Sequence, residues 1–324
     1  MRPVVSVVLL NWNGVHLLPT CLDSLRAQTL QDFEVIMPDN GSTDGSLELV
    51  AARYPEVQVI RFPRNMGFCL AMNAGIRQAR GEFVLSLNND TELDPRCLAE
   101  LVGTMRANPR IGICATKMVY YDNPNLINSA GLACSKDGVV VDIGRGQPDG
   151  EWFRRPREVL GACAGACLYR RSMLEEIGLF DPDFFISYED IDIGWRAQLA
   201  GWRAAYVPTA LVRHREGVTR KIRSRRSLYL AARNNVSVWT KDWPLPLLLR
   251  HLPAIWRGWR ARAQLLMTVG YGTALPAAVF SALLLTPRML LRRRRIQRRR
   301  RVGLDRFREL IAVGKRQSGR PPKD

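Results

Sequence analysis

The chain has 324 residues, 47% of them apolar, with 25 Gly and 19 Pro that do not cluster, which gives one large domain of roughly 200–250 residues plus something smaller and excludes a fibrous or low-complexity protein. The net charge of +18 is local: residues 1–242 hold 29 Lys and Arg against 27 Asp and Glu, while residues 243–324 hold 19 against three. A simple nucleic-acid-binding domain would carry its basic charge throughout, on one face of the fold.

Residues 4–10 form the near-continuous apolar run of a strand buried on both faces. Asn11-Trp12-Asn13 follows where a signal peptide would place a small-residue cleavage site, so the run reads as a strand and not a leader. Leu18, Cys21, Leu22 and Leu25 then share one helix face at i, i+3, i+4, i+7. A strand over 33–37 leads into the turn residues 41–46, which open a second helix with Leu47, Val50, Ala51 and Tyr54 inward. A strand over 57–62, a helix over 70–80 closed by Gly81, and a strand over 83–87 follow. A further helix presents Leu98, Leu101, Val102 and Met105, and a strand over 111–115 comes after it. This order predicts an α/β fold, a mostly parallel sheet with helices on both faces. Ligands in such sheets bind beyond the carboxyl ends of the strands.

Residues 118–160 lose the pattern and read as a loop-rich β insertion. Ser172-Met173-Leu174-Glu175 reads as a capping box opening a short helix that ends at Gly178. A helix over 189–200 closes at Gly201, and a strand over 203–207 stops before Pro208. Seven cysteines without a C-x-x-C pattern suit a reducing compartment, and three histidines make no zinc pattern. The composition change after Asp242 separates residues 1–242 from a tail over 243–324.

The polar residues at strand ends are the candidates for chemistry. Asp39, in a run of turn formers, can accept hydrogen bonds from a nucleobase or ribose, or can simply cap a helix. Asp90, after Asn88-Asn89, can hold Mg²⁺ or Mn²⁺ whose shell is completed by phosphate and water, or can be a solvated loop carboxylate. Glu189-Asp190-x-Asp192 starts a helix, where the dipole favours acids and where a carboxylate can serve as a general base. His214 lies where a chain returning to the sheet edge could meet Asp90. Arg220, Lys221, Arg223, Arg225 and Arg226 form a basic loop able to clamp phosphates.

The matching residues run in order: residues 5–13 with Gly14, residues 39–46, Asn65-x-Gly67-Phe68 with Asn73-x-Gly75, Gly81-Glu82 and Asn88-Asn89-Asp90. They continue through Gly165-Ala166-Cys167, Gly178-Leu179-Phe180-Asp181, Glu189-Asp190-x-Asp192, Arg196, Gly201-Trp202 and His214. On these residues the chain resembles family 2 glycosyltransferases of the GT-A fold, rhamnosyltransferase-like branch, over about residues 4–240. The resemblance implies an inverting enzyme using a nucleotide-sugar donor and a divalent cation, Mg²⁺ or Mn²⁺. It assigns Asn11, Asn13, Asp39, Asn65 and Asn89 to the donor, Asp90 and His214 to the metal, and Asp190 to the base. The chain departs from the family where amides replace the early acids of the Asp-x-Asp motif. It departs again where Cys69-Leu70-Ala71 and Met72 replace a Gly-rich and basic stretch.

Residues 263–287 carry no charge, and residues 292–295 and 298–301 are all Arg. Arginines on both sides of the apolar run favour a re-entrant or interfacial segment over a single crossing, and the Arg cluster suits an anionic membrane surface. The expected place is the cytoplasmic face of the inner membrane, where the donors are. The expected acceptor is a lipid-linked or cell-envelope glycan, with a polyprenyl phosphate as the alternative. A non-catalytic sugar-nucleotide binder keeps the pocket but not the chemistry. A nucleic-acid binder using the Arg-rich tail leaves Asp39, Asp90, Asp190 and His214 unexplained, so no nucleic acid is expected. The absence of G-x-G-x-x-G after the first strand disfavours a dinucleotide dehydrogenase.

Overall fold

The computed structural model describes residues 2–216, 224–268 and 271–317. The first half alternates β1 (Val5–Leu10), α1 (Leu18–Arg26), β2 (Phe33–Asp39), α2 (Ser46–Arg53), β3 (Gln58–Arg61), α3 (Phe68–Gln78), β4 (Phe83–Asn88), β5 (Thr91–Leu93) and α4 (Cys97–Ala107). The middle holds β6 (Ile111–Tyr120), β7 (Ile127–Ser129), β8 (Leu132–Cys134), β9 (Val140–Asp142), β10 (Arg157–Val159), β11 (Ala166–Arg170), α5 (Arg171–Ile177), α6 (Glu189–Leu199) and β12 (Arg203–His214). Among the described residues four helices follow: α7 (Arg225–Asp242), α8 (Leu245–Thr268), α9 (Ala274–Arg298) and α10 (Leu304–Gln317).

Ten strands form one sheet, in the main order β10-β12-β6-β11-β4-β1-β2-β3. Strands β3, β2, β1 and β4 are parallel, as the βα order requires. β11 lies antiparallel between β4 and β6, so the sheet is mixed. In β1, Val5, Val7 and Leu9 enter one core while Val8 enters the other, which is why the whole strand reads apolar.

Three local expectations are corrected. α3 ends at Gln78, before Gly81. Gly81 instead permits a close approach, since a Cβ there would lie 2.6 Å from the Ser6 nitrogen. The capping box is not made: α5 starts at Arg171, which puts Ser172 inside the helix, and no side chain caps it. β12 does not stop at Pro208 but runs on to His214 through a register shift between Val207 and Leu211. A proline is tolerated where the ladder is already interrupted.

The closing helices pack on the sheet's helical layer. Trp243, Leu247, Met289 and Phe307 belong to the same core as Trp195 of α6, and Phe307 stacks on Trp195 at 4.2 Å between ring centroids. Full burial of each such side chain is worth about 1.5–3 kcal/mol. The opposite faces of α8 and α9 are open. Leu245, Leu249, Leu252 and Trp256 are exposed on α8, and Phe280, Leu283, Leu284 and Leu291 on α9. Of the described helices, only α9 is long and apolar enough to cross a membrane, at a mean hydropathy of 1.6. No disulfide forms among the cysteines, six of which are buried.

Candidate active site

The carboxyl ends of β1, β2 and β4 meet in an amide network. Asn11, fully buried after β1, donates from Nδ2 to Asp39 Oδ2 at 2.8 Å and to Ser42 Oγ at 3.2 Å. Its Oδ1 accepts from Asn89 Nδ2 at 2.7 Å. Asp39 Oδ1 accepts from the Ser42 N–H at 2.9 Å. Asn13, in the left-handed region at φ 48°, accepts from the Thr43 N–H at 2.9 Å and so ties the ends of β1 and β2 together. Asn65 Oδ1 accepts from the Gly67 N–H at 2.9 Å and from Asn40 Nδ2 at 3.1 Å. Gly14 is required by this crowding, because a Cβ there would stand 2.0 Å from Asn89 Nδ2.

Above the network lies a cleft of about 340 Å³. Trp12, Asn65, Asn89, Phe185 and Arg226 are among its walls. Asn65 and Asn89 therefore face the cleft, whereas Asn11 and Asp39 stand buried behind it. Trp12 is 40% exposed, an open aromatic face. Arg226, in the first turn of α7, stands on the cleft wall with its guanidinium 5.0 Å from the Phe185 ring centroid. The expected clamp residues Arg220, Lys221 and Arg223 lie outside the described residues.

Asp90 and His214, 124 positions apart, come together because β12 extends to pair with β5. His214 Nε2 is 3.3 Å from Asp90 Oδ1, with the side chains 11% and 5% exposed. His214 Nδ1 is 3.0 Å from Asn128 Oδ1. Asn128 donates from Nδ2 to Glu216 Oε2 at 2.8 Å, which fixes the amide and leaves only an acceptor facing Nδ1. Nδ1 then donates to that oxygen, and Nε2 is the ring nitrogen that faces Asp90. Asp90 Oδ1 has no hydrogen-bond partner among the described residues. A ring nitrogen and a carboxylate oxygen 3.3 Å apart can hold a proton or a cation between them. This is the orientation a metal-binding histidine needs, its other nitrogen donating to an oxygen. No group of three or more His, Cys, Asp or Glu forms a metal cluster among the described residues. Two protein ligands nevertheless fit Mg²⁺ or Mn²⁺, which take the rest of their shell from water and phosphate.

Asp190 stands in the first turn of α6. Its carboxylate accepts from the N–H groups of Ile191 and Ala164. Ala164 adjoins Gly165, whose carbonyl accepts the Asn88 N–H at 2.8 Å, so Asp190 is tied to the end of β4. Desolvation, then the charge of Asp142, pushes the Asp190 carboxyl up to about 7, while the two N–H donors oppose the rise. Asp142 meets Arg145 at 3.2 Å, and Arg145 also pairs with Glu216. The base candidate and the Asp90–His214 pair thus share one polar chain, through Asp142, Arg145, Glu216 and Asn128.

The segment feeding α6 is strained: Phe185, Ser187 and Tyr188 all have positive φ. Such conformations persist where the surroundings over-determine them. Asn234 of α7 does so by donating Nδ2 to the carbonyls of Phe184, Ile186 and Ser187 at 2.7–3.1 Å. On the far side of α6, Asp192 pairs with Arg196 at 2.6 Å and with the buried Lys241, which also holds Asp181 at 2.6 Å. Arg292 of α9 joins at Asp181 and Asp183. Sequence reasoning missed Asn128, Asp142, Glu216, Asn234 and Lys241; the one nearby signal is the i,i+4 spacing of Asp192 and Arg196, whose ion pair Lys241 joins.

A model of the family described as glycosyl transferase family 2 matches residues 6–178. The chain is 30% identical over 236 residues to an N-acetylglucosaminyl-diphospho-decaprenol L-rhamnosyltransferase of Mycobacterium tuberculosis, covering 66% of this chain and 76% of that protein. Among solved structures, it aligns with a mannosyltransferase from Pyrobaculum calidifontis in complex with GDP-Man and Mn²⁺ at a TM-score of 0.55 and 19% identity, over 99% of this chain and 82% of that one. It aligns with GalNAc-T7, solved with UDP, GalNAc and Mn²⁺, at a TM-score of 0.59 and 21% identity, over 74% of this chain and 49% of that one.

Proposed function

Because the chain belongs to glycosyltransferase family 2, we propose that it is an inverting, cation-dependent enzyme that moves a sugar from a nucleoside-diphosphate donor to a hydroxyl of a lipid-linked cell-envelope glycan. The observation that carries this reading is the Asp90–His214 pair, 3.3 Å apart, with Asp90 next in the chain to Asn88 and Asn89 of the cleft wall. The Mycobacterium tuberculosis relative, by its name, transfers L-rhamnose to a diphospho-decaprenol-linked sugar, which makes rhamnose the first sugar to test and supports a lipid-linked acceptor.

The donor's base and ribose enter the cleft against Asn65, Asn89 and the Trp12 ring, while Asn11, Asn13 and Asp39 act from behind, holding Asn89 and the turn after β2 in place. Arg226 meets the phosphates. Asp90 and His214 hold the divalent cation, which when bound neutralises the charge that builds on the leaving diphosphate. Asp190 accepts the proton of the attacking hydroxyl as that oxygen displaces the nucleoside diphosphate from the opposite face of the anomeric carbon. A carboxyl raised to about 7 is matched to that task, since a general base works best near the operating pH.

The exposed apolar stripes of α8 and α9 lie on the membrane interface, with the exposed Arg294, Arg298 and Arg300 at anionic headgroups. This holds the cleft at the cytoplasmic face, where donors and lipid-linked acceptors meet. Asp190→Asn tests the assignment. Nucleotide binding stays, and turnover falls by about 10²–10⁴-fold; turnover near wild type overturns the role of Asp190.

A further inference from the structure

A second cavity, of about 480 Å³, lies between α3 and α9 and shares no lining residue with the cleft. Its walls mix Leu70, Leu179 and Ile296 with Arg77, Arg295 and Arg299. The acidic groups at its edge are already engaged. Asp181 is held by Lys241 and Arg292, Glu175 by Arg171, and Glu176 by Arg301. Arg77 and Arg295 have no ion-pair partner among the described residues, and Arg299 reaches only the Glu176 carbonyl. Three guanidiniums on one concave space whose three carboxylates, Glu175, Glu176 and Asp181, are already paired are a receptor for a multivalent oxyanion. On α9 the exposed Leu284 and Leu291 lie seven residues apart, and Arg295 follows four residues after Leu291, so the open apolar stripe leads to the cavity rim.

We propose that this cavity binds the phosphate group of a membrane lipid, with Arg77, Arg295 and Arg299 on the phosphate and the α9 stripe along the apolar chain. The membrane reading given above bears only on the lipid as the source; the phosphate chemistry stands on the cavity.

The test is calorimetric titration of the full-length protein with monomeric dihexanoylphosphatidylglycerol and, separately, with glycerol 3-phosphate. The double variant Arg77→Ala/Arg295→Ala is compared with Arg110→Ala/Arg155→Ala, which removes the same charge from exposed positions away from the cavity and from α9. The expected result is wild-type binding of the lipid that weakens about tenfold or more in the first double variant and stays within about twofold in the second. Tighter binding of the lipid than of glycerol 3-phosphate supports the lipid source, and equal binding overturns that source while keeping the phosphate site. Equal losses in both variants, or no binding of either ligand, overturns the proposal. Flotation with phosphatidylglycerol vesicles is run alongside, so that a failure there with intact monomer binding falls on the membrane reading alone.

Discussion

Replacing Asp142 with Asn keeps the side chain's shape and removes its charge, and the pH profile of turnover then reports on Asp190. The Asp190 carboxyl stands at about 7 against an ordinary 3.8, a rise of about three pH units with desolvation first and Asp142 second among its causes. Removing the lesser cause returns about one unit. The base acts only when ionised, so turnover climbs with pH through about 7 in the wild type and through about 6 in the variant. At pH 5.5 the ionised fraction goes from about 3% to about 24%, roughly an eightfold gain relative to each enzyme's own plateau. The assay is release of nucleoside diphosphate at saturating cation, from about pH 5 to 9. An acid limb that stays in place, moves upward, or is absent in the wild type refutes the assignment of Asp190 as base and Asp142 as its modulator.

Other predictions rest on separate contacts. Asn128→Leu frees His214 to carry its proton on either nitrogen, and Mn²⁺ affinity measured by electron paramagnetic resonance falls about 10–100-fold. Lys241→Met leaves Asp192 and Asp181 buried without their shared cation, costing about 3–5 kcal/mol. At about 2–4 °C per kcal/mol the midpoint drops by roughly 6–20 °C in a thermal melt, and a change under about 2 °C would show that the network is not under load.

The sheet was legible because buried parallel strands and amphipathic helices leave opposite periods in the sequence, as residues 4–10 and the Leu18–Leu25 face demonstrate. Pro208 misled, since its missing N–H reads as a strand stop, yet β12 absorbs it in a bulge and carries His214 to Asp90. The residues that orient the site were hidden for a different reason. Asn128 and Asp142 sit in β7 and β9, strands of three residues that are too short to leave a period, and Glu216 follows β12, so only tertiary packing makes them neighbours. Asn234 and Lys241 read as ordinary polar positions of a helix, although one clamps a strained loop and the other is buried among carboxylates. The amides of Asn88 and Asn89 read as a weakened metal motif, and Asn89 instead braces Asn11 behind the cleft.

The most direct test of the account is thermal stability of the detergent-purified protein with a panel of nucleoside diphosphates, with and without Mn²⁺, beside Asp90→Ala. A ligand at 100 times its dissociation constant adds about 2.7 kcal/mol, a rise of roughly 5–10 °C for a chain of this size. The account predicts a rise with one nucleoside diphosphate that requires Mn²⁺ and is absent in Asp90→Ala. Folded protein that responds to no nucleotide, or responds equally without Mn²⁺ and in Asp90→Ala, would contradict it.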